Sequence, residues 1–493
     1  MATRQEREAF VTGHAGTTLW EISLVAGLPA LLLLLLRLIT ATPGSAMQPV
    51  GATHRLEEFV VLVLPLLAAL LGPPLPLHLA AALTSLACLL LCTHRRRQLS
   101  ASAAQRQQLL LSPVAPLRAA LTTYRASLLL LTTLAILAVD FPAFPRRFAK
   151  AETFGTGLMD AGVGGIVVAG GIASGFSSSA AAFDPAARRQ STRSGWARGL
   201  WLAAALAALG LGKAAFVAAA DYQSHVGEYG RHWNFFLTLA VLRLLSLVLG
   251  PLLQGRPGRT AVLGGVVLAA HQAALSAGVI DYVHADVRGP ELLAANKEGL
   301  LSLPGYWALQ LLSLAGGHAL FAVAAAAPAR AQQSGDGAEG GSVTTRGGGG
   351  AQQRQQARQR RTVPSAWRAV VALGVATVAC WAAYTLAAAV QPVSRRACNA
   401  AYVLWMLALD VQCLGLFAAA DALAPGPPPH LLATLARHML PAFLLANLLT
   451  GGVNMGMDTL HAGNWTARGV VGGYAATLLA GVAGLDAWLG AAA

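Results

Sequence analysis

Charged residues are scarce in this chain of 493 residues: they make up 11% of it, whereas hydrophobic residues make up 55%. A soluble globular protein carries about a quarter charged residues, so the composition argues against a soluble enzyme or binding module. Apolar runs fill most of the length, and about thirteen of them are long enough, or nearly so, to cross a bilayer as helices. The sequence therefore predicts an all-α, polytopic transmembrane helical bundle of about 13 spans, forming a single domain over residues 1–493.

Cysteine is also rare, and the motifs of several common enzyme classes are missing. The five cysteines lie in or beside apolar runs and form no CxxC pair, which is unlike a disulfide framework or a zinc site. The sequence contains no Walker A loop, no HExxH and no GxSxG. These absences argue against hydrolysis by the corresponding mechanisms, and no metal or tightly bound cofactor is expected.

The net charge of +14 is better explained by a membrane than by nucleic acid. Cytoplasmic loops of membrane proteins are enriched in Lys and Arg. If the N-terminus lies on the non-cytoplasmic side, the basic loops at 95–97, 188–198 and 328–365 all face the cytoplasm. The last of these is rich in Gln, Gly, Ser and Arg and is predicted to be a disordered, low-complexity cytoplasmic loop. No nucleic-acid partner is expected.

The first apolar run, 22–40, has two interpretations. It resembles the core of a signal peptide, but its long and partly acidic leader favours an uncleaved first span. The runs at 59–72 and 75–93 are short and flank Pro73, so they are predicted to form a tight re-entrant hairpin. Further spans are predicted at 126–140, 158–177, 199–219, 233–253, 260–280, 303–326, 367–389, 399–421, 437–453 and 467–489.

The same orientation places the polar, motif-like segments together on the opposite face of the membrane. They are the N-terminal segment and residues 141–157, 221–232, 281–302, 391–398 and 455–466. The count of basic residues did not require this grouping. It predicts one composite site at one membrane face, provided that no short span has been miscounted.

The segment 140–165 carries the strongest candidates. Asp140 is either a helix-end acid paired with Arg146 or Arg147, or a general base whose carboxylate accepts a hydroxyl proton. Lys150 is either a contact to lipid headgroups or a cation that stabilises an oxyanion or phosphate. Arg146 and Arg147 have the forked guanidinium groups that bind phosphate oxygens. Asp160 stands at the second membrane edge of this segment.

Four further segments supply candidates for substrate binding, at 221–236, 296–299, 394–396 and 447–459. In 221–236, His232 is a candidate acid or base and Asn234 a hydroxyl-binding group, although an interfacial aromatic belt would have similar residues. Polar side chains within 447–459 suit either helix–helix contacts or a substrate cavity. The remaining candidates are Asn296, Lys297, Arg395, Arg396, Asn454 and Asp458.

These segments together resemble the glucosaminyl-phosphatidylinositol inositol acyltransferases of GPI-anchor biosynthesis. The longest match is 136–150, which contains Asp-Phe-Pro followed by Phe-Pro-Arg-Arg-Phe-Ala-Lys. Other matches lie at 8–18, 152–165, 232–236 (His-Trp-Asn-Phe-Phe), 296–299 (Asn-Lys-Glu-Gly), 394–396 (Ser-Arg-Arg) and 447–459. The resemblance covers nearly the whole chain in order, with 328–365 as an insertion.

The resemblance implies a reaction that spacing alone does not. A long-chain acyl group, typically palmitoyl, would move from acyl-CoA to an inositol hydroxyl of glucosaminyl-phosphatidylinositol. It also implies a multi-pass protein of the endoplasmic reticulum membrane, with membrane lipids as partners and acyl-CoA as co-substrate. Residues matching Asp140 and Lys150 would serve the catalytic centre.

The residues suggest how such a transfer would work. Asp140, or failing that His232, would act as the base, and Lys150 would stabilise the thioester oxyanion. Arginines would hold the headgroup phosphate, and the Gly-rich span 158–177 would open a groove for the acyl chain. Direct transfer, without an acyl-enzyme, is expected.

A lipid or small-molecule transporter or flippase is the competing class, since it would also have many spans with polar residues in them. A non-catalytic scaffold would leave the clustered acids and bases unexplained.

Overall fold

A computed structural model shows a bundle of helices. It describes residues 12–40, 52–72, 114–182, 185–219, 226–253, 256–326 and 365–492, together with short pieces of 1–11 and 82–91. No strand occurs in this described part of the chain, apart from one isolated bridge between two loops. The all-α fold class is confirmed.

The helices are numbered in chain order. They are α1 (Leu19–Thr40), α2 (Ala52–Glu58), α3 (Leu64–Leu71), α4 (Ala115–Ala138), α5 (Leu158–Ala182), α6 (Pro185–Ala219), α7 (Val226–Tyr229), α8 (Phe235–Leu253), α9 (Pro257–Ala274), α10 (Ile280–His284), α11 (Leu292–Ala295), α12 (Lys297–Leu301), α13 (Leu303–Ala325), α14 (Ser365–Val390), α15 (Ala400–Leu423), α16 (His430–Arg437), α17 (Met439–Gly456) and α18 (Asn464–Ala492). Short π-helical turns join α2 to α3 (Phe59–Val63) and α9 to α10 (Leu275–Val279), and Arg146–Phe148 is a 3-10 turn.

Nine of the described helical segments are long and apolar enough to cross a membrane, which supports a multi-pass membrane protein. They coincide with nine of the predicted spans, including the first. The predicted spans 199–219 and 233–253 lie in α6 and α8, and 59–72 lies in α2 and α3 with their π turn. Most of 75–93, and with it the predicted hairpin, lies outside the described residues. So does the predicted loop 328–365, except for its last residue, which begins α14.

The helix at the centre of the bundle is α15. Its Tyr402, Trp405 and Met406 are fully buried, and α1, α4, α5, α13 and α14 pack against it. A helix that is apolar on all sides is stable when neighbours surround it, as here. The first helix, α1, belongs to this core, with Ile22 and Leu33 completely buried.

Glycines allow α5 to lie close against α13. A Cβ atom on Gly175 would overlap the carbonyl oxygen of Leu314, and one on Gly171 would lie 2.6 Å from the Cβ of Ser313. Small residues let helix backbones approach in a membrane, where tight packing is the main attraction between helices. The Gly-rich span 158–177 therefore packs closely against α13.

At one end of the bundle, the N-terminal segment is paired with the loop before α5. Gly16 and Thr156 form a parallel bridge, and the Thr17 N–H donates to the Thr156 carbonyl at 2.6 Å. Gly155 has φ of 138°, and a Cβ atom there would overlap the carbonyl oxygen of Ala15. Only glycine permits both this backbone angle and this approach.

Hydrogen bonds bring the other polar segments to the same end. Arg395 contacts Asp160, Asn296 contacts the backbone at His232, and Asn454 contacts Asp140. The predicted grouping of these segments is confirmed for the described residues, which exclude 220–225. The membrane face at which this end lies stays a prediction.

Candidate functional site

A cavity of 390 Å³ opens at this polar end and extends into the bundle. Ligand pockets usually measure about 300–1,000 Å³. Helices α1, α4, α5, α15 and α17 contribute to its walls, and residues 228–235 contribute to its mouth. Most of the wall is apolar, formed by Leu128, Leu131, Ile136, Leu158, Val163, Ile166, Phe235, Phe417 and Phe443, among others.

The mouth of the cavity is strongly charged. Lys150 donates to both carboxylate oxygens of Glu228, at 2.7 and 2.9 Å. Lys213, near the end of α6, and His232 line the same region. The side chains of Lys150 and Glu228 remain 31% and 21% exposed, so the pair can be reached by a ligand. The mouth therefore has ammonium groups that can bind an anion and, beside them, the carboxylate of Glu228.

Three phenylalanines fix the loop that carries Lys150. Phe141, Phe144 and Phe148 are completely buried, and the rings of Phe144 and Phe148 meet edge to face with centroids 6.0 Å apart. Pro145 precedes the 3-10 turn that ends at Phe148. Burying the three rings anchors the loop in the bundle. This local order holds Lys150 at the cavity rather than in free solvent.

Arg146 is engaged by its own loop. Its guanidinium donates to the carbonyls of Val139, Phe141 and Phe144 at 2.8 to 3.1 Å, and lies 4.0 Å from the centre of the Phe10 ring. Burial lowers the pKa of Arg146 to about 10, against the opposing effect of nearby Asp140. These contacts close the end of α4, whose last carbonyls have no partner within the helix.

Arg147 pairs with the first helix. Its guanidinium donates to both carboxylate oxygens of Glu21 at 2.8 to 3.0 Å. Its side chain is 37% exposed, more than that of Glu21. Arg147 therefore remains accessible to an anion, whereas Arg146 is largely enclosed by protein. Neither arginine lines the cavity, and binding of the headgroup phosphate stays a prediction for both.

Asp140 lies at the rim of the cavity rather than in its lining. It accepts a hydrogen bond from Asn454 Nδ2 at 2.8 Å. Ile136, four residues earlier, and Asn447, seven residues before Asn454, both line the cavity. Asn447 and Asn454 share a face of α17, and Asp140 lies two residues beyond the end of α4. Asp140 and Asn454 thus contact each other at the polar end of the bundle, next to the parts of α4 and α17 that line the cavity.

His232 and Asn234 both line the cavity, and the protein holds them differently. The backbone N–H of His232 donates to Asn296 Oδ1 at 2.8 Å, and no described residue hydrogen-bonds its ring. Asn234 donates to the Gly210 carbonyl at 2.8 Å and accepts from the Phe236 N–H at 3.1 Å. Since Asn234 already uses both ends of its amide, His232 is the better placed of the two to meet a substrate.

Asp160 and Arg395 form a buried ion pair away from the cavity. Asp160 Oδ1 accepts from Arg395 Nε at 2.7 Å, and Oδ2 accepts from the N–H groups of Ala151 and Gly157. Burial alone would lower the pKa of Arg395, but the carboxylates of Glu228 and Asp160 outweigh it and raise that pKa well above its usual value. These contacts join the loop 391–399 to the start of α5.

Lys297 is completely buried, with its ammonium enclosed by backbone carbonyls. It donates to the carbonyl oxygens of Tyr282, Ala285 and Val287 at 2.7, 2.5 and 3.2 Å. A cation at these carbonyls suits the end of α10, where helix carbonyls lack partners. Neither Lys297 nor Asn296 lines the cavity.

Two other predicted ligands also lie outside the cavity lining. The buried Arg396 has its guanidinium close to Gly227, and burial lowers the pKa of Arg396. Asp458 accepts from His461 at 3.1 Å in the turn before α18. Their binding roles stay predictions, as do those of Asp160, Asn296, Lys297, Arg395 and Asn454.

Four charged residues of the cavity were not among the predicted ligands. Glu228 and Arg231 belong to the candidate segment 221–236, in which only His232 and Asn234 have predicted roles. Lys213 is the single charge of the predicted span 199–219, and Asp410 lies in the middle of the predicted span 399–421. An ionisable residue inside a span is expected to face the bundle interior or a cavity. That signal would have identified both.

Comparison with known proteins places the chain among relatives of similar length. A model of the family described as GWT1 matches residues 3–485. A protein of Aspergillus fumigatus named GPI-anchored wall transfer protein 1 is 32% identical over 97% of this chain and 96% of its own. The protein of the same name from Aspergillus oryzae is 33% identical over 97% of each. An uncharacterised protein of Arabidopsis thaliana is 33% identical over 74% of this chain and 72% of its own.

Proposed function

This chain belongs to the GWT1 family of GPI-anchor biosynthesis, and on that premise we propose that it is an acyl-CoA-dependent inositol acyltransferase. It moves a long-chain acyl group, typically palmitoyl, to an inositol hydroxyl of glucosaminyl-phosphatidylinositol. The multi-pass bundle works in the endoplasmic reticulum membrane. Acyl-CoA is its co-substrate, and no further cofactor takes part.

The observation that carries this proposal is the two-part character of the cavity. Its mouth has Lys150, Lys213, Glu228 and His232, and its interior is mainly apolar. An acyl thioester has the same division, with an anionic CoA moiety and a long apolar chain. Apolar walls with a few polar groups are the usual design of ligand pockets. The cavity therefore suits an acyl donor with its thioester at the mouth.

The chemistry requires a base and an electrophilic group at that mouth. The inositol oxygen attacks the thioester carbonyl carbon while Asp140 accepts the hydroxyl proton, with His232 as the second candidate. Lys150 stabilises the oxyanion that forms on the carbonyl oxygen. The carbon–sulfur bond then breaks, and the proton passes to the departing thiolate. No acyl-enzyme is needed in this sequence.

Cationic side chains around the mouth would hold the phosphates of both substrates. Lys213 is exposed and lines the cavity, and Arg147 is the more exposed of the two neighbouring arginines. Guanidinium forks and ammonium groups both bind phosphate oxygens. We assign the headgroup phosphodiester to Arg147 and the CoA phosphates to Lys213.

The test uses the purified full-length chain in detergent, with glucosaminyl-phosphatidylinositol and palmitoyl-CoA. Acylated inositol product is measured by mass spectrometry for the unmodified chain, Asp140→Asn and Lys150→Ala. We expect each substitution to lower the rate by about a hundredfold or more, since each removes a proton acceptor or an oxyanion partner.

Asp486→Asn is the matched control. Asp486 pairs with Arg437 and lies outside the cavity lining, so its loss should leave the rate nearly unchanged. No product from a folded, unmodified chain would overturn the proposal and favour a transporter or flippase. Product at a normal rate from both Asp140→Asn and Lys150→Ala would keep the enzyme and move its centre to other residues. A labelled acyl group trapped on Cys398 or on a serine would exclude direct transfer.

A further inference from the structure

The deep end of the cavity has a polar pair that the proposed reaction does not use. Tyr124 of α4 and Asp410 of α15 both line the cavity, and the Tyr124 hydroxyl donates to Asp410 Oδ1. Each residue is only 3% exposed. Within the described part of the chain, Asp410 Oδ2 has no hydrogen-bond partner. Such a group inside a membrane bundle is costly, which makes a functional role the default expectation.

The pair is far from the charged mouth. Ile136 lines the cavity near the polar end of α4, and Tyr124 lines it twelve positions earlier on the same helix. At 1.5 Å per residue these positions are about 18 Å apart along the axis. On α15, which begins at the polar end, the lining runs from Leu409 past Asp410 to Phe417, whose ring packs against that of Tyr124. Both helices therefore place the pair deep in the bundle.

Between mouth and deep end, the wall would follow an extended acyl chain. Leu128, Leu131 and Ile136 of α4, together with Val163 and Ile166 of the neighbouring α5, line this part of the cavity. Each methylene that enters the cavity makes binding more favourable, because it moves from water to apolar surface. The gain ends where the chain meets a buried polar pair, since displacing the pair would break its hydrogen bond without replacement.

The Tyr124 ring is held on two sides at this depth. Asp410 accepts its hydroxyl, and the Phe417 ring lies 5.9 Å from it, centroid to centroid. A Cβ atom on Gly165 would lie 3.1 Å from Asp410 Oδ1, so α5 packs directly onto the carboxyl group. The hydrogen bond and the ring contact thus give the Tyr124 side chain a defined position.

We propose that Tyr124 is the stop for the acyl chain and that Asp410 holds the Tyr124 ring in place, so that the pair sets the longest chain accepted. The inference rests on the proposed acyltransferase activity. Tyr124 is a specificity-determining residue, because it would contact the end of the substrate chain. Asp410 is a positioning residue, because it acts through Tyr124.

The experiment measures a profile of chain lengths rather than one rate. The purified full-length chain receives saturated acyl-CoA donors from decanoyl-CoA to behenoyl-CoA in separate reactions, and kcat/KM for acylated product is determined for each. Tyr124→Ala should move the longest accepted chain up by about two to four carbons, because it lengthens the cavity. Tyr124→Trp should move it down, because it fills more of the floor.

Asp410→Asn and Tyr124→Phe test the positioning role. Both keep nearly the same shape, and Tyr124→Phe removes the hydrogen bond while Asp410→Asn weakens it. The Tyr124 ring is then held less firmly, so kcat/KM should decline more gradually with increasing chain length, while the preferred length stays the same. Tyr474→Ala is the matched control, since Tyr474 is a buried, hydrogen-bonded tyrosine outside the cavity lining. Its profile should equal that of the unmodified chain.

The outcomes separate this inference from the function on which it rests. Absence of transfer from the unmodified chain with every donor overturns the proposed function, and the stop with it. Transfer with an unchanged cutoff in Tyr124→Ala or in Tyr124→Trp overturns the stop alone. If Tyr124→Ala does not fold, Tyr124→Trp is a sufficient test, because this variant alone is expected to shorten the longest chain accepted.

Discussion

Lys150 and Lys297 lie at the same end of the bundle, in two segments that resemble the same family, yet their surroundings differ. Lys297 is completely buried, and three backbone carbonyls surround its ammonium. Lys150 keeps 31% of its side chain exposed, lines the cavity and has one carboxylate as its partner. A cation saturated by its own backbone stabilises the fold, whereas one at a cavity with a single exchangeable partner can meet a substrate.

The same contrast separates two ion pairs. Asp160 and Arg395 are buried, and the Asp160 carboxylate also accepts two backbone N–H groups. Lys150 and Glu228 are partly exposed at the cavity mouth. Breaking a buried pair leaves a charge without compensation, while an exposed pair contributes little to stability. Stability and activity should therefore respond to different substitutions at this end of the molecule.

The largest effect on stability is expected for Asp160→Asn. It removes the carboxylate that is hydrogen-bonded to Arg395 and weakens the contacts to two backbone N–H groups, so the free energy of unfolding should fall by about 3–5 kcal/mol. Thermal unfolding in detergent measures this loss. Combining it with Arg395→Met should cost less than the sum of the two single changes, since no buried charge is then left alone. Intact stability with lost transfer would instead give Asp160 a role in the reaction.

A smaller loss of stability is expected for Lys297→Met. Methionine fills a similar volume but leaves buried carbonyl oxygens without a donor, which costs about 1–3 kcal/mol. Lys150→Met is the matched control, and its stability should change by less than about 1 kcal/mol because its ion pair is partly exposed. Both are measured by thermal unfolding, alongside transfer per folded molecule. The distinction between the two lysines fails if Lys150→Met unfolds as readily as Lys297→Met.

The smallest effect on stability, together with one on activity, is expected for Glu228→Gln. Glutamine keeps the shape but not the charge that holds Lys150, so the ammonium becomes less well placed and kcat/KM should fall about tenfold. Stability should fall less than in Asp160→Asn, because Glu228 is partly exposed although its charge also acts on Arg395. Glu57→Gln is the control, since Glu57 is an exposed glutamate whose side chain is outside the cavity. An unchanged kcat/KM would mean that Glu228 does not position Lys150 for the reaction.

Several polar residues of the family-like motifs turn out to hold backbone in place. Arg146 binds the carbonyls at the end of α4, and Asn296 binds the N–H groups of His232 and Trp233. A motif of polar residues predicts that they are needed, but it does not distinguish a contact to a substrate from a contact to a loop. That distinction depends on which groups lie within hydrogen-bonding distance after folding.

Asp410 is the opposite case, a residue outside the motifs that lines the cavity. It is an acid in the middle of an apolar span and belongs to none of the motifs, and yet it lines the cavity together with Tyr124. Its position on α15 could be read from the sequence, but not its partner, because Tyr124 is distant along the chain. Pairs that are remote in sequence become neighbours only when helices pack.

The sequence by itself determined that this protein is an all-α membrane bundle, where its main spans lie, and to which family it is similar. Hydrophobic runs and motifs are local, and a helix in lipid must satisfy its backbone within its own segment. Only the tertiary structure decided which charges are buried and saturated, as at Lys297, and which face a cavity, as at Lys150 and Glu228. The physical reason is that burial and hydrogen-bond partners are set by packing between distant segments, and a linear pattern of residues does not contain that information.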